Sequence, residues 1–197
     1  MAEDAVRNIK VVAIGGSAGS LEVILDIVQH LPANPAAVFI IVVHRKNDKD
    51  SILQNLLSEK TSLAVIEVED KEMIVPNTIY LAPPGYHLLI ENETIFSLDG
   101  SDKIHFSRPS IDVSFESIAE IFKERVIGIL LSGSNADGAQ GMAAIKSMGG
   151  CTIAQNPKTS EVGYMPQQAI ELGCVDHILD NENILSTLMN ELGKPEK

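Results

Sequence analysis

Two stretches of this 197-residue chain, Val38-Phe39-Ile40-Ile41-Val42-Val43 and Val126-Ile127-Gly128-Ile129-Leu130-Leu131, carry no polar residue at all. A strand with one wet face alternates apolar and polar side chains. A short, uninterrupted apolar run is a strand buried on both faces, as in a parallel sheet covered by helices. A third β-branched run, Ile9 to Ile14, ends in Gly15-Gly16-Ser17-Ala18-Gly19. After it Leu21, Ile24, Leu25 and Val28 recur at the i, i+3, i+4, i+7 spacing of one helix face, and Pro32 helps to stop that helix. Strand, helix and strand in succession predict a right-handed parallel crossover, so the expected class is an open, mostly parallel α/β sheet.

The same reading predicts a helix over Ser51 to Ser58 and a strand over Leu63 to Val68. From Met73 to Leu98 short runs (Thr78 to Ala82, His87 to Ile90, Thr94 to Leu98) are broken by Pro83-Pro84-Gly85 and Glu91-Asn92-Glu93, which reads as a small antiparallel addition. A loop from Gly100 to Ser110 precedes a helix carrying Phe115, Ile118, Ala119 and Phe122. Beyond Leu131 follow a Gly/Ser/Asn/Asp loop, a helix to about Met148, a strand from Thr152 to Gln155, a short helix near Gln167 to Leu172, and an amphipathic helix with Leu185, Leu188, Met189 and Leu192. The length suits one domain over residues 1–197.

Composition narrows the function. With 15 basic and 27 acidic residues the net charge is −12, which repels nucleic acid and anionic membrane surfaces. No apolar run is long enough to span a membrane, and Met1 to Lys10 has no signal-peptide core. Cys151 and Cys174 form no CxxC pair and read as reduced core thiols, so the expected compartment is the cytoplasm. There is no His-x-x-x-His pair, and neither a metal nor a cofactor is expected.

In an open parallel sheet, ligands collect at the carboxyl ends of the strands. Ser17 follows the first strand, His44 the second, and Ser132-Gly133-Ser134-Asn135-Ala136-Asp137-Gly138 the later apolar strand. A serine between small residues on a sharp strand-to-helix turn is the setting of a nucleophile elbow. Its hydroxyl is a weak nucleophile near neutral pH and needs a histidine to take the proton; the histidine needs a carboxylate to orient it. Ser17, His44 and Asp137 are thus candidate nucleophile, base and orienter. Backbone N–H groups at Ala18 and Ser134 are candidate oxyanion donors, an effect of about 3 kcal/mol per donor. Each residue also has a plainer reading. The glycine-rich turn can cradle phosphate, although Ser17 and Ser20 stand where G-x-G-x-x-G has glycines and the P-loop Gly-Lys-Ser/Thr is absent. His44 can be a strand-end histidine satisfied by its neighbours, and Asp137 a turn or cap residue. His30, His87, His105 and His177 read as surface or loop residues.

The chain resembles the catalytic domain of the chemotaxis methylesterase CheB. The resemblance runs from about Val11 to Leu179 and rests on Ala13-Ile14-Gly15-Gly16-Ser17-Ala18-Gly19, Val42-Val43-His44, Leu81-Ala82-Pro83-Pro84-Gly85-Tyr86-His87, Ser107-Arg108-Pro109-Ser110-Ile111-Asp112-Val113, Leu131-Ser132-Gly133, Ala136-Asp137-Gly138-Ala139-Gln140-Gly141-Met142, Ala154-Gln155-Asn156 and Met165-Pro166. It implies a doubly wound parallel sheet with helices on both faces and an antiparallel addition. It also implies a Ser–His–Asp triad at Ser17, His44 and Asp137, and hydrolysis of glutamate methyl esters on chemoreceptor helices, with glutamine deamidation as a related activity. Two loops depart from the family pattern: Ser17-Ala18-Gly19-Ser20 replaces Ser-Thr-Gly-Gly, and Gly133-Ser134-Asn135 replaces Gly-Met-Gly. The family's receiver domain has no counterpart in this sequence, so a stand-alone catalytic domain is expected. Arg45, Lys46, Lys49 and Arg108 can form a local basic rim that draws acidic receptor helices to the site, though a solvated charge cluster is the favoured reading of these residues. The alternatives are a serine esterase for another ester, a nucleotide-binding module, and a regulatory protein with an idle site.

Overall fold

A computed structural model describes residues 9–45 and 52–193. Seven strands form one all-parallel sheet: β1 (Lys10–Gly16), β2 (Ala37–Val43), β3 (Ala64–Glu67), β4 (Thr78–Leu81), β7 (Val126–Leu130), β8 (Cys151–Gln155) and β9 (His177–Leu179), in the order β3-β4-β2-β1-β7-β8-β9. Strands β5 (His87–Asn92) and β6 (Ile95–Asp99) pair separately as an antiparallel ribbon. Six α-helices connect them: α1 (Leu21–Gln29), α2 (Ile52–Ser58), α3 (Ile111–Phe122), α4 (Ala139–Ser147), α5 (Tyr164–Glu171) and α6 (Asn181–Leu192).

The apolar runs follow from the two cores they feed. Val38, Ile40 and Val42 of β2 face a core with Phe115, Ile118 and Phe122 of α3 and Met142 and Ile145 of α4. Phe39 and Ile41, pointing the other way, face Ile24, Ile27 and Val28 of α1 and Ile184 and Leu188 of α6. The period of two persists, but both faces need apolar side chains, so it vanishes from the sequence. The sheet is doubly wound: from β1 the chain runs to β2 on one side and later to β7 on the other. The carboxyl end of β1 is therefore the switch point.

Three expectations are corrected. Thr78 to Ala82 does not belong to the antiparallel addition: β4 lies between β3 and β2 and pairs with both in parallel, its Tyr80 wholly buried. Every residue of β4 is buried, the mark of an inner strand that a four-residue run is too short to declare. His177 opens a short parallel strand, β9. The buried stripe of α1 is Val23, Ile24, Ile27 and Val28, while Leu21 is largely exposed. Helix α2 is described from Ile52, and Ser51 lies outside the described residues.

Candidate active site

The parallel register sets the site. Gly16 of β1 is opposite Val43 of β2, and the His44 N–H donates to the Gly16 carbonyl at 3.3 Å. Ser17 and His44 are the first residues beyond these two adjacent strand ends. The Ser17 N–H donates to the Ser132 carbonyl beyond β7 at 2.8 Å, so the elbow is tied to both flanking loops. The turn after Ser17 is tight. Gly19 has φ +78°, and a Cβ there would come within 2.6 Å of Glu161 Cβ, so only glycine fits. Ser20, standing where the family pattern has glycine, donates its hydroxyl to the Ser17 carbonyl at 2.7 Å.

His44 Nε2 lies 2.7 Å from Asp137 Oδ2. Asp137 is wholly buried and sits at the amino end of α3, in a cradle of donors. Oδ2 accepts the Ile111 N–H at 2.7 Å, while Oδ1 accepts the Ser110 hydroxyl at 2.8 Å and the Asp112 N–H at 3.0 Å. Burial alone pushes the carboxyl upward. The bonds from His44, the two backbone N–H groups and Ser110 outweigh it and hold the group below its ordinary value. A carboxylate so surrounded accepts from Nε2–H. The free lone pair of His44 is then on Nδ1, the nitrogen able to take a proton from Ser17. Among the described residues every partner of the Asp137 carboxylate is a donor, which suits a fixed anion rather than a metal ligand.

Ser110 and the first turn of α3, which hold Asp137, were assigned no role by residue-by-residue reasoning; the signal was Ser110 one residue after Pro109, a helix N-cap. His87, expected at the surface, is buried at the start of β5. Its Nδ1 accepts the Ser110 N–H at 3.1 Å and its Nε2 donates to the Asp102 carbonyl at 3.0 Å, holding the loop that holds Asp137. Asp112 is another addition. Its Oδ1 accepts the Gly141 N–H at 2.8 Å, and His105 Nε2 lies 3.5 Å from its other oxygen. Burial, and secondarily the Asp137 charge, push the Asp112 carboxyl up to about 6.

The loop after β7 is braced just as closely. The Ser132 N–H donates to Gln155 Oε1 at 2.7 Å, and its hydroxyl bonds the Ala18 carbonyl at 2.7 Å and accepts the Val162 N–H at 2.8 Å. Ala18 and Ser134 are exposed, and their N–H groups have no acceptor among the described residues. Beside His44 opens a cleft of about 510 Å³, lined by Arg45, Gly85, Lys103, Phe106, Ser107 and Arg108, with Phe106 97% exposed. Of the residues weighed for a basic rim, Arg45 and Arg108 do line this cleft; Arg45 is also paired with Glu67, and Arg108 donates to the Gly100 and Ser101 carbonyls at 2.6 and 2.5 Å. Lys46 and Lys49 lie outside the described residues. Of the cysteines, Cys174 is buried, but Cys151 is only half-buried at the start of β8.

Comparison with known proteins shows the family and the fold. The profile described as CheB methylesterase matches residues 12–188. A Leptospira interrogans protein is 40% identical over 177 residues, spanning 90% of this chain and 92% of its own length. The protein-glutamate methylesterase/protein-glutamine glutaminase of Symbiobacterium thermophilum is 33% identical over 94% of this chain but only 51% of its own. The crystal structure of the Thermotoga maritima CheB methylesterase catalytic domain superposes with a TM-score of 0.87 at 34% identity, covering 93% of this chain and 98% of that one. No helix among the described residues is long and apolar enough to cross a membrane.

Proposed function

This chain belongs to the CheB methylesterase family, and on that premise we propose that it hydrolyses methyl esters of glutamate side chains on chemoreceptor helices in the cytoplasm. The observation that supports the residue roles is the 2.7 Å bond from His44 Nε2 to a wholly buried Asp137, in the loops that follow the two strands flanking β1, with Ser17 in the turn directly after β1. Ser17 Oγ attacks the ester carbonyl as its proton passes to His44 Nδ1, and Asp137 stabilises the imidazolium through Nε2–H. The Ala18 and Ser134 N–H groups stabilise the developing oxyanion. Collapse breaks the C–O bond to the methoxy group, which leaves as methanol with the proton from His44. Water, deprotonated by the same nitrogen, then attacks the acyl-enzyme and frees glutamate and Ser17. The same attack on a glutamine side-chain amide, with ammonia leaving, gives deamidation. The surface offered to the receptor is the cleft beside His44, with Arg45, Lys103 and Arg108 in its lining and the bare Phe106 ring, which suits an apolar stripe of a helix.

The experiment is methanol release from methylated receptor by wild type and Ser17→Ala. Wild type releases methanol and the variant none beyond background. A wild type without activity, or a variant at full rate, overturns the proposal.

A further inference from the structure

A second cluster of chemistry-bearing side chains lies at the opposite, amino end of the strands. Cys151 opens β8 and His177 opens β9, whose register pairs Ile153 with His177. Alternate residues of a strand share a face, so Cys151 points to the same side of the sheet as Ile153 and its neighbour His177. Helix α6 packs on that side. Its buried Ile184 and Leu188 are followed by Glu191 at the i, i+4, i+7 spacing of one helical face. The hydrophobic stripe thus ends in a carboxylate only 12% exposed, turned toward the sheet. Cys151 Sγ, a ring nitrogen of His177 and a carboxylate oxygen of Glu191 all lie within 4.8 Å of one another, with His177 Nε2 3.7 Å from Glu191 Oε1.

We propose that Cys151, His177 and Glu191 form a zinc-class metal site with one coordination position left open to water. Tetrahedral zinc with its usual bond lengths puts nitrogen and oxygen ligands about 3.4 Å apart and sulfur and nitrogen ligands about 3.6 Å apart. The His177–Glu191 spacing is already close to this, and the remaining separations close by about 1 Å, a side-chain adjustment. The donor set selects the metal: thiolate, imidazole and carboxylate together suit zinc, whereas magnesium and calcium want oxygen alone. Thiolate and carboxylate also balance the charge of a divalent ion in a half-buried place. Lys10 of β1 donates to the main-chain carbonyl of Glu191, fixing the last turn of α6 against the sheet. A bound ion ties β8, β9 and α6 at one point, remote from Ser17, His44 and Asp137 at the carboxyl ends. It is a brace of the fold and takes no part in ester hydrolysis.

The test uses the full chain without an affinity tag, freed of metal by chelator and titrated with zinc by calorimetry, with cobalt(II) as spectroscopic stand-in. The expected result is one saturable zinc ion per chain and a cobalt spectrum showing both a tetrahedral d–d band and a thiolate charge-transfer band. Cys151→Ser, His177→Gln and Glu191→Gln should each weaken zinc by tenfold or more, the scale on which even outer partners of a metal act. No saturable binding, a cobalt spectrum without the thiolate band, or unchanged affinity in all three variants overturns the site. The cobalt spectrum of wild type is decisive should a variant fail to fold, and neither readout depends on the methylesterase reading.

Discussion

Asn at position 137 separates the charge of the candidate orienter from its geometry. Asp137→Asn replaces one acceptor oxygen with an NH₂ donor, and the cradle dictates which. With NH₂ at the Oδ2 place, it meets the Ile111 N–H and His44 Nε2, and a buried backbone donor faces another donor. At the Oδ1 place it meets the Ser110 hydroxyl and the Asp112 N–H. The Ser110 hydroxyl rotates and accepts from the amide, so only the Asp112 N–H is orphaned. Either orientation leaves one backbone N–H unpaired, but the second keeps the His44 tautomer and is the one expected, at a cost of about 1–3 kcal/mol for that unsatisfied buried N–H. At 2–4 °C per kcal/mol for a chain of this size, the melting temperature should fall by roughly 2–12 °C. The amide oxygen still accepts from Nε2–H, so His44 keeps its tautomer and loses only the charge opposite its imidazolium. That is worth about 2–3 kcal/mol, or about a hundredfold in kcat. It is well short of the 10⁴-fold loss that follows when an amide imposes the wrong tautomer on a catalytic histidine. Methanol-release kinetics and a circular-dichroism melt measure both quantities. A 10⁴-fold loss with an unchanged melting temperature would show that the donors from α3 do not orient residue 137, and full activity would remove Asp137 from the mechanism.

Other variants probe the surroundings. At Gly133 an added methyl lies within 2.6 Å of buried Met165 Sδ, so Gly133→Ala should cost about 1–3 kcal/mol in a denaturant titration. It should also lower kcat through the Ser132–Ser17 tie; Met165→Ala in the same chain should recover part of the loss, and no recovery would place the strain elsewhere. Asp112 is raised from 3.8 to about 6 by burial, so the folded state binds more protons between those values and stability falls as pH rises through them. Above pH 6 the ionised group costs up to about 3 kcal/mol at 1.36 kcal/mol per unit. Asp112→Asn, whose carbonyl keeps the Gly141 bond, should raise the melting temperature at pH 7.5 and not at pH 4; an equal rise at both would refute the titration. Asp137 has the opposite sign: held below its ordinary value, it contributes stability that disappears as pH falls into the acid range. Ser110→Ala removes a helix cap and one of the four bonds to Asp137. Loss of the cap alone should cost about 1 kcal/mol, while kcat at pH 7 changes little because three donors remain; a kcat loss as large as that of Asp137→Asn would contradict this.

Local pattern by itself determined much of this protein. Val38 to Val43 and Val126 to Leu131 demand burial on both faces, the stripes after them demand helices, and together they leave little but a covered parallel sheet. A parallel sheet in turn puts whatever follows its strands at one rim, which is why Ser17, His44 and Asp137 read from the sequence as candidates for one site. Tertiary structure decided what depends on register and on partners far along the chain. Four residues, Thr78 to Leu81, carry no mark of being an inner strand until β3 and β2 close on them. Nothing in the spelling of Asp137 foretells a cradle built from Ser110, Ile111 and Asp112, and so nothing foretells that Nε2 of His44 is the committed nitrogen. Cys151, His177 and Glu191 are likewise separate in sequence and meet only because β8, β9 and α6 pack as they do. Periodicity records which side of an element must be dry, a property of a few consecutive residues, whereas a hydrogen bond between distant side chains is set by the closure of the whole fold.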